Sequence, residues 1–271
     1  MSNLARLRHH KDFPGEDVAL FIVSYPKAGR TWVRYILSRL AEHELADPQL
    51  ALSLIDDDKI VAANVKLQFT HAFSQRDEFH LNDLHEAAQH LSRRPFIFLH
   101  RDPRDVVVSH YHERTKRSLK TSYFTPSDIN EFAMQHTIGL PRVIAFYNIW
   151  AKHFDRNTCR LVCSYEELHE HAAKVAKSIF NNVFGFSPSD SSLTSALQES
   201  DFGTMQQLER ASFDHPRTRL RRLRPYDVND PDSYKVRKGL IGGYRDELDS
   251  STQEFAASLI RTTLDPLYKY C

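Results

Sequence analysis

The chain has 271 residues and a formal net charge of +1, because 36 lysines and arginines face 35 aspartates and glutamates. Near-neutrality argues against a protein that coats nucleic acid through charge alone, since such proteins are strongly basic overall. A composition of 41% hydrophobic and 26% charged residues is typical of a globular protein and excludes a disordered chain.

No segment of the sequence points to export or to a membrane. The longest apolar run, Val18 to Val23, is far shorter than the roughly 20 residues that a membrane-spanning helix needs. The first residues, MSNLARLRHHKDF, lack the apolar core of a secretory signal. Cys159 and Cys163 are four apart in a strand-like run, too far from each other for a disulfide, and Cys271 is the third cysteine. The sequence predicts a reduced, cytoplasmic protein without a membrane or nucleic-acid partner.

Strand-like segments alternate with helical ones along the chain. Short apolar runs predict strands at 19–25, 65–71, 95–100 and 160–165. Apolar residues at helical spacing predict helices at 31–42, 79–91, 103–117, 141–154, 166–183 and 252–264, with a further helix starting near 125–128. Shorter helices and arginine-rich loops are expected after Gly185.

This alternation predicts an α/β fold with a central, mostly parallel β-sheet flanked by helices. The chain contains only 8 glycines and no repeat or low-complexity segment, so we expect a single domain with a core at 18–271 and an N-terminal extension at 1–17. Ligands of such folds bind at the carboxyl ends of the strands, where loops lead into helices. The segments that follow the strands are therefore the candidate binding loops.

The loop after the first predicted strand, PKAGRTW at 26–32, suits anion binding. Gly29 lets backbone N–H groups converge on an anion at a helix N-terminus, and Lys27 can add an ammonium group. Thr31 offers a hydroxyl donor, and Trp32 a flat face for a heteroaromatic ring. The loop is not a Walker A motif, because Lys27 precedes its only glycine. Taken alone, it could also be an ordinary surface turn.

A second strand–helix junction reads RDPRDVVVSHY at 101–111. The Arg101 guanidinium can hold a phosphate through two hydrogen bonds. Ser109 lies two helical turns further on and could reach the same group. Taken alone, Arg101 could equally pair with Asp102 or Asp105.

Both junctions resemble segments of the sulfotransferases that use 3′-phosphoadenosine 5′-phosphosulfate (PAPS). YPKAGRTW is similar to the YPKSGTTW segment that binds the 5′-phosphosulfate, and RDPRDVVVSHYH is similar to the RNPKDVVVSYYH segment that holds the 3′-phosphate. The resemblance implies a P-loop-like strand–loop–helix for the phosphosulfate. It also implies phosphosulfate contacts from Lys27, Ala28, Gly29, Arg30 and Thr31, adenine packing by Trp32, and 3′-phosphate contacts from Arg101 and Ser109.

Three weaker segments extend the resemblance, which runs from about residue 18 to 245. SYEEL is similar to the family's YEDL, SDFGTM to its TSFxxM, and VRKGLIGGYR to its RKGxxGDWK. The matches imply adenine, nucleoside and 3′-phosphate contacts from Tyr165, Ser200, Phe202, Arg237, Lys238 and Gly239. Asp, Trp and Lys of the last motif are replaced by Gly243, Tyr244 and Arg245, so a looser turn is expected after the phosphate clamp.

The stretch VKLQFTHAF at 65–73 stands where the family has a KTHLP-like segment with the catalytic histidine. The resemblance implies that His71 is the general base, that Lys27 stabilises the leaving phosphate oxygen, and that Ser109 restrains Lys27 until the acceptor binds. Phe69 stands where the family has lysine, so one cation is missing, and Lys66 or Arg30 could compensate. PAPS is already activated, so no metal is expected, and the sequence shows no HExxH or zinc-type Cys/His spacing.

The sequence therefore predicts transfer of a sulfuryl group from PAPS to a hydroxyl or amine of a small-molecule acceptor, with adenosine 3′,5′-bisphosphate (PAP) as the second product. The acceptor is open, as is the oligomeric state, and we expect a bacterial member of the family that acts in specialised metabolism. Two alternatives remain: a P-loop-type small-molecule kinase, and a non-catalytic nucleotide- or polyanion-binding protein. The second would use the basic runs at 113–120 and 217–224, which are either solvated faces or part of a lid.

Overall fold

Five strands form one sheet in the residues that the computed structural model describes, which are 17–62, 65–117, 126–155, 157–214 and 223–270. The strands are β1 (Leu20–Ser24), β2 (Lys59–Ala62), β3 (Val65–Thr70), β4 (Phe96–His100) and β5 (Cys159–Ser164), in the spatial order β2-β3-β1-β4-β5. The pairs β3-β1, β1-β4 and β4-β5 are parallel, and β2 is an antiparallel edge strand on β3. The predicted α/β fold with a mostly parallel sheet is confirmed, whereas β2 was not predicted. The predicted extension at 1–17 lies outside the described residues except for Asp17.

Helices cover the connections between the strands. In the described ranges they are α1 (Arg30–Leu45), α2 (Pro48–Asp56), α3 (Leu81–Leu91), α4 (Pro103–His112), α5 (Ile129–Met134), α6 (Leu140–Ala151), α7 (Tyr165–Glu170), α8 (Ala172–Phe184), α9 (Asp190–Glu199), α10 (Phe202–Asp214) and α11 (Ser250–Thr263). A π-helical turn, Glu113–Arg117, continues α4, and short 3₁₀ turns occupy Pro231–Ser233, Gly243–Asp246 and Pro266–Tyr268. None of the helices within these ranges combines the length and hydropathy that crossing a membrane requires.

Two predicted helices differ from the structure for local reasons. The helix predicted at 166–183 is two helices, because His171 leaves the helical conformation with φ −133° and ψ 42°. Ser164 and Glu167 form a capping box that starts the first of the two at the end of β5. Helix α2 was not predicted, although Asp47 caps it and Pro48 occupies its first turn, the usual signals of a helix start.

The sheet is buried on both faces, which explains why its strands are almost continuously apolar. Successive strand residues point to opposite faces, so Phe96 and Phe98 pack with α3, α6 and α11 around the fully buried Trp150. Ile97 and Leu99 pack on the other face with α1, α2 and α8. The parallel strands consequently end at one edge of the sheet, and the loops that follow β1, β3, β4 and β5 meet there.

Candidate active site

A cavity of about 740 Å³ opens at this edge of the sheet. Fourteen of the predicted site residues line it: Lys27, Gly29, Arg30, Thr31, Trp32, His71, Arg101, Ser109, Tyr165, Ser200, Phe202, Arg237, Lys238 and Gly239. Ala28 does not line it, because its side chain is buried behind the loop and its N–H group donates to the carbonyl oxygen of Tyr25 at 3.4 Å. The chain therefore brings segments that are far apart in sequence to one concave surface.

The loop between β1 and α1 is held in an unusual backbone conformation. Lys27 has φ 70° and Gly29 has φ 92°, so both lie in the left-handed region. A Cβ on Gly29 would lie 2.6 Å from Cδ2 of Tyr165, so this position needs glycine for space as well as for conformation. Gly29 is also the N-cap of α1 and makes no side-chain cap, which leaves the helix N-terminus suited to an anion.

Lys27 forms an ion pair at this helix start. Its Nζ donates to Oε2 of Glu113 at 2.9 Å, although 86 positions separate the two residues. Burial alone would raise the pKa of Glu113, but Lys27, Arg117 and Lys235 outweigh it and lower the pKa to about 2. Glu113, one helical turn after Ser109, is thus the partner of Lys27 here, and the restraint of Lys27 by Ser109 stays a prediction. The structure gives no hydrogen bond between Lys27 and Ser109 in the residues it describes.

His71 lies at the end of β3 beside the end of β1. Its Nδ1 is 2.8 Å from the carbonyl oxygen of Ser24, which can only accept, so Nδ1 carries the proton and Nε2 keeps its lone pair. Burial of the ring and then the Arg30 cation lower the pKa of His71 well below its ordinary value. The imidazole is therefore neutral and has the form that a general base requires.

Phe69 is a buried, uncharged residue of β3. Phe69 is 1% exposed and packs beneath the guanidinium of Arg34, which is 3.7 Å from the ring centroid. Of the two candidates to compensate, Lys66 is exposed and does not line the cavity, whereas Arg30 does line it. Lys235 also lines the cavity, and no signal in the sequence singled it out.

Arg101, at the end of β4, reaches across the cavity to two loops. It donates to the carbonyl oxygens of Leu240 at 2.7 Å and of Lys27 at 3.5 Å, and it stacks 4.3 Å over the ring centroid of Tyr165. Its Nε is buried and makes no hydrogen bond to any described residue. An anion in the cavity could satisfy this donor.

The cations of the 237–239 segment share one carboxylate. Arg237 and Lys238 each donate to Oε1 of Glu247 at 2.8 Å, and Nε2 of His112 lies 2.6 Å from Oε2 of the same group. Burial would raise the pKa of Glu247, but these three hydrogen bonds hold it well below its usual range. Glu247 keeps the cations together at the mouth of the cavity.

The turn after this segment is not loose, contrary to our expectation from its sequence. Asp105 of α4 accepts the N–H groups of Gly242 at 2.7 Å and of Tyr244 at 3.0 Å. Tyr244 is 4% exposed and lies under the guanidinium of Arg104, 4.6 Å from the ring centroid. The loop is thus fixed to the helix that carries Ser109.

Aromatic rings line the side of the cavity beyond Gly29. Trp32 lies 5.8 Å from Tyr165 and 4.7 Å from His169, measured between ring centroids. The indole N–H of Trp32 donates to the backbone oxygen of Ser200 at 2.9 Å, so Ser200 contributes through its main chain. His169 was not predicted, although it lies one helical turn after Tyr165 and hence on the same face.

Two arginines of the first basic run pair with carboxylates, whereas Lys116 is exposed and residues 118–120 lie outside the described residues. Arg114 binds Asp77 through two hydrogen bonds of 2.9 and 2.6 Å, and Arg117 donates to Glu209 at 2.8 Å. Of the second run, residues 217–222 lie outside the described residues. The described residues hold no group of three or more His, Cys, Asp and Glu side chains placed to bind a metal ion.

Comparisons with known proteins fit this geometry. The family model for the sulfotransferase domain matches residues 17–267. The curated flavonol 3-sulfotransferase of Flaveria bidentis is 22% identical over 188 residues, which are 64% of this chain and 59% of that protein. The match therefore spans less than two thirds of the plant protein's length.

The solved structures that resemble this chain share its fold. Mouse sulfotransferase SULT7A1 complexed with PAP has a TM-score of 0.65 and 18% identity, over 96% of this chain and 88% of that one. Retinol dehydratase with retinol and PAP has a TM-score of 0.63 and 16% identity, over 96% and 85% of the two chains. The same protein with androsterone and PAP has a TM-score of 0.62 and 16% identity, over 96% and 84%. Because the family model covers nearly the whole chain, this protein belongs to the sulfotransferase domain family.

Proposed function

We propose that the protein is a PAPS-dependent sulfotransferase that transfers the sulfuryl group to a hydroxyl or amine of a small-molecule acceptor. One observation carries this proposal: a neutral imidazole with an available Nε2 faces the same cavity as the side chains of Lys27, Arg101 and Arg237. Family membership and the PAP bound in related structures support it. Retinol and androsterone in one relative support a small organic acceptor.

The cavity has two ends in this proposal. The sulfonate end is lined by residues 27, 29–31, 71 and 235, and it takes the 5′-phosphosulfate at the N-terminus of α1. The 3′-phosphate end is lined by residues 101, 109 and 237–239. Trp32, Tyr165 and Phe202 also line the cavity and would enclose the adenine ring.

The residues at the sulfonate end divide the work of the transfer. His71 accepts the acceptor's proton at Nε2 while the acceptor oxygen or nitrogen bonds to sulfur. The bond between sulfur and the bridging oxygen breaks, and its electron pair stays on the 5′-phosphate of PAP. Lys27 stabilises that oxygen. To do so, its ammonium must leave the Glu113 carboxylate and bind the phosphate instead. His71 then returns the proton to solvent.

Two measurements on the full chain test this function. Titration calorimetry should show PAP binding more tightly than ATP with Mg²⁺, because PAP carries a phosphate for each end of the cavity. Radiolabelled PAPS should then transfer its label to at least one member of a panel of phenols, alcohols and amines. Tighter binding of Mg²⁺·ATP would favour a kinase, and PAP binding without transfer to any acceptor would favour a non-catalytic nucleotide-binding protein.

A further inference from the structure

Lys235 lies among the groups that surround the sulfonate end. It lines the cavity, and its charged neighbours come from two other segments of the chain. Lys27 and Arg30 act on it from the first loop and α1, and Glu113 and Arg117 act on it from the π-helical turn. Lys235 in turn acts on His71 at the end of β3.

The backbone of Lys235 is fixed by a buried carboxylate. The N–H groups of Lys235 and Val236 donate to the two oxygens of Glu209 at 2.5 and 2.8 Å. Glu209 is completely buried, and Arg117 donates to it at 2.8 Å while also lying 3.5 Å from Glu113. Arg117 thereby links Glu209, which holds the backbone of Lys235, to Glu113, which pairs with Lys27. The positions of the two lysines are therefore coupled.

Arg34 and Arg30 also line the cavity, and both lie close to Asp58. Arg34 donates to the carbonyl oxygens of Leu54 and Asp57 at 2.9 and 2.6 Å and to Oδ1 of Asp58 at 2.7 Å. Arg30 lies 4.0 Å from the same carboxylate oxygen. Burial, more than any neighbour, lowers the pKa of Lys235 to about 7, because the buried ammonium is poorly solvated.

We propose that Lys235 supplies the cation of the sulfonate end that the Phe69 position lacks, and that it binds the transferring sulfonate rather than the nucleotide. This inference rests on the proposed function. Charge on the sulfonate oxygens must be balanced throughout the transfer, and a positioned ammonium does this without reorganising. Lys235 therefore distinguishes PAPS, which carries the sulfonate, from PAP, which does not.

Titration calorimetry of PAP and PAPS with two lysine variants tests the inference. Lys235→Met should weaken PAPS binding about tenfold, the size expected for one charge-assisted contact, and leave PAP binding within about twofold. Lys238→Met is the matched control, because Lys238 lies at the 3′-phosphate end and should weaken both ligands by a similar factor. Lys235→Arg keeps the charge and should keep most of the preference for PAPS.

The unchanged PAP affinity also reports that Lys235→Met is folded, and Lys235→Gln serves if the methionine variant is not. The inference is overturned if the neutral variant loses affinity for PAP and PAPS by the same factor, or if it keeps PAPS binding within twofold. A wild-type protein that binds neither nucleotide would instead overturn the proposed function itself. The two failures are therefore distinct.

Discussion

The two ends of the cavity hold their positive charge in different surroundings. At the sulfonate end Lys27 is 12% exposed and pairs with Glu113, whose pKa is lowered to about 2 by three cations against the effect of burial. At the 3′-phosphate end Lys238 is 42% exposed and shares Glu247 with Arg237, which is 11% exposed, and with the His112 ring. Exposed pairs are screened by water, whereas buried charges act strongly on each other. Because Lys27 is less exposed than Lys238, we expect the loss of a lysine to have the larger effect at the sulfonate end.

The largest expected effect separates chemistry from binding. His71→Ala removes the proposed base and should lower kcat by roughly 10²–10⁴-fold, since this is the usual contribution of a positioned base. Affinity for PAP should change by less than about twofold, because the ring bonds to Ser24 and not to a phosphate-binding residue. The matched control is His85→Ala, an exposed histidine on α3 outside the cavity. Near-normal turnover in the His71 variant would contradict the assignment of His71 as the general base.

A pair of glycine variants tests the close approach of Gly29 to the Tyr165 ring. Gly29 and Gly185 both have left-handed backbone, with φ 92° and 83°, so alanine strains both equally. Only at Gly29 would the added methyl lie 2.6 Å from Tyr165, while Gly185 has open space. Gly29→Ala should displace the Tyr165 ring and thereby weaken PAP binding at least about tenfold. Gly185→Ala should leave PAP binding unchanged. Equal PAP affinities in calorimetry would contradict this role of Gly29.

Local sequence predicted the loops at strand ends because neighbouring residues determine them. A strand followed by PKAGRTW or RDPRDVVVS fixes a turn and a helix start within about ten residues, and the backbone then places Lys27, Arg101 and Ser109. Glu113 escaped prediction because its pairing with Lys27 spans 86 positions and depends on how α4 ends in a π-helical turn. Distant packing, and not local pattern, creates such a pair.

The edge strand β2 and the loop that carries Lys235 also escaped prediction, because distant contacts determine their conformation. The strand β2 has only four residues, KIVA, and gains its conformation from antiparallel pairing with β3. Lys235 belongs to an irregular loop whose position comes from Glu209, 26 positions earlier. A lysine in such a loop is usually solvated, so only the completed fold shows that this one lines the cavity.

Replacing Glu113 removes the negative charge that compensates the cations of the sulfonate end. Glu113→Gln leaves Lys27, Arg117 and Lys235 without their shared carboxylate, and thermal unfolding should show a loss on the order of 2 kcal/mol. Saturating PAPS should recover more stability in this variant than in the wild type, because the phosphosulfate replaces the missing anion. Glu254→Gln, an exposed glutamate on α11, is the control. A variant as stable as the wild type would mean that Glu113 does not compensate these cations.

The smallest expected effect is a pH dependence confined to the sulfonate end. The pKa of Lys235 is lowered to about 7, so its ammonium is present below that pH and is lost above it. Glu113 and His71 both have lowered pKa values and are already deprotonated at pH 7, so neither titrates at higher pH. The ratio of PAPS to PAP affinity should therefore fall about fivefold between pH 7 and 9, since binding the sulfonate then requires uptake of a proton. Lys235→Arg should keep this ratio constant, because guanidinium stays charged throughout that range. A constant ratio in the wild type would contradict the role of Lys235 in binding the sulfonate. An equal fall in the arginine variant would assign the pH dependence to another group.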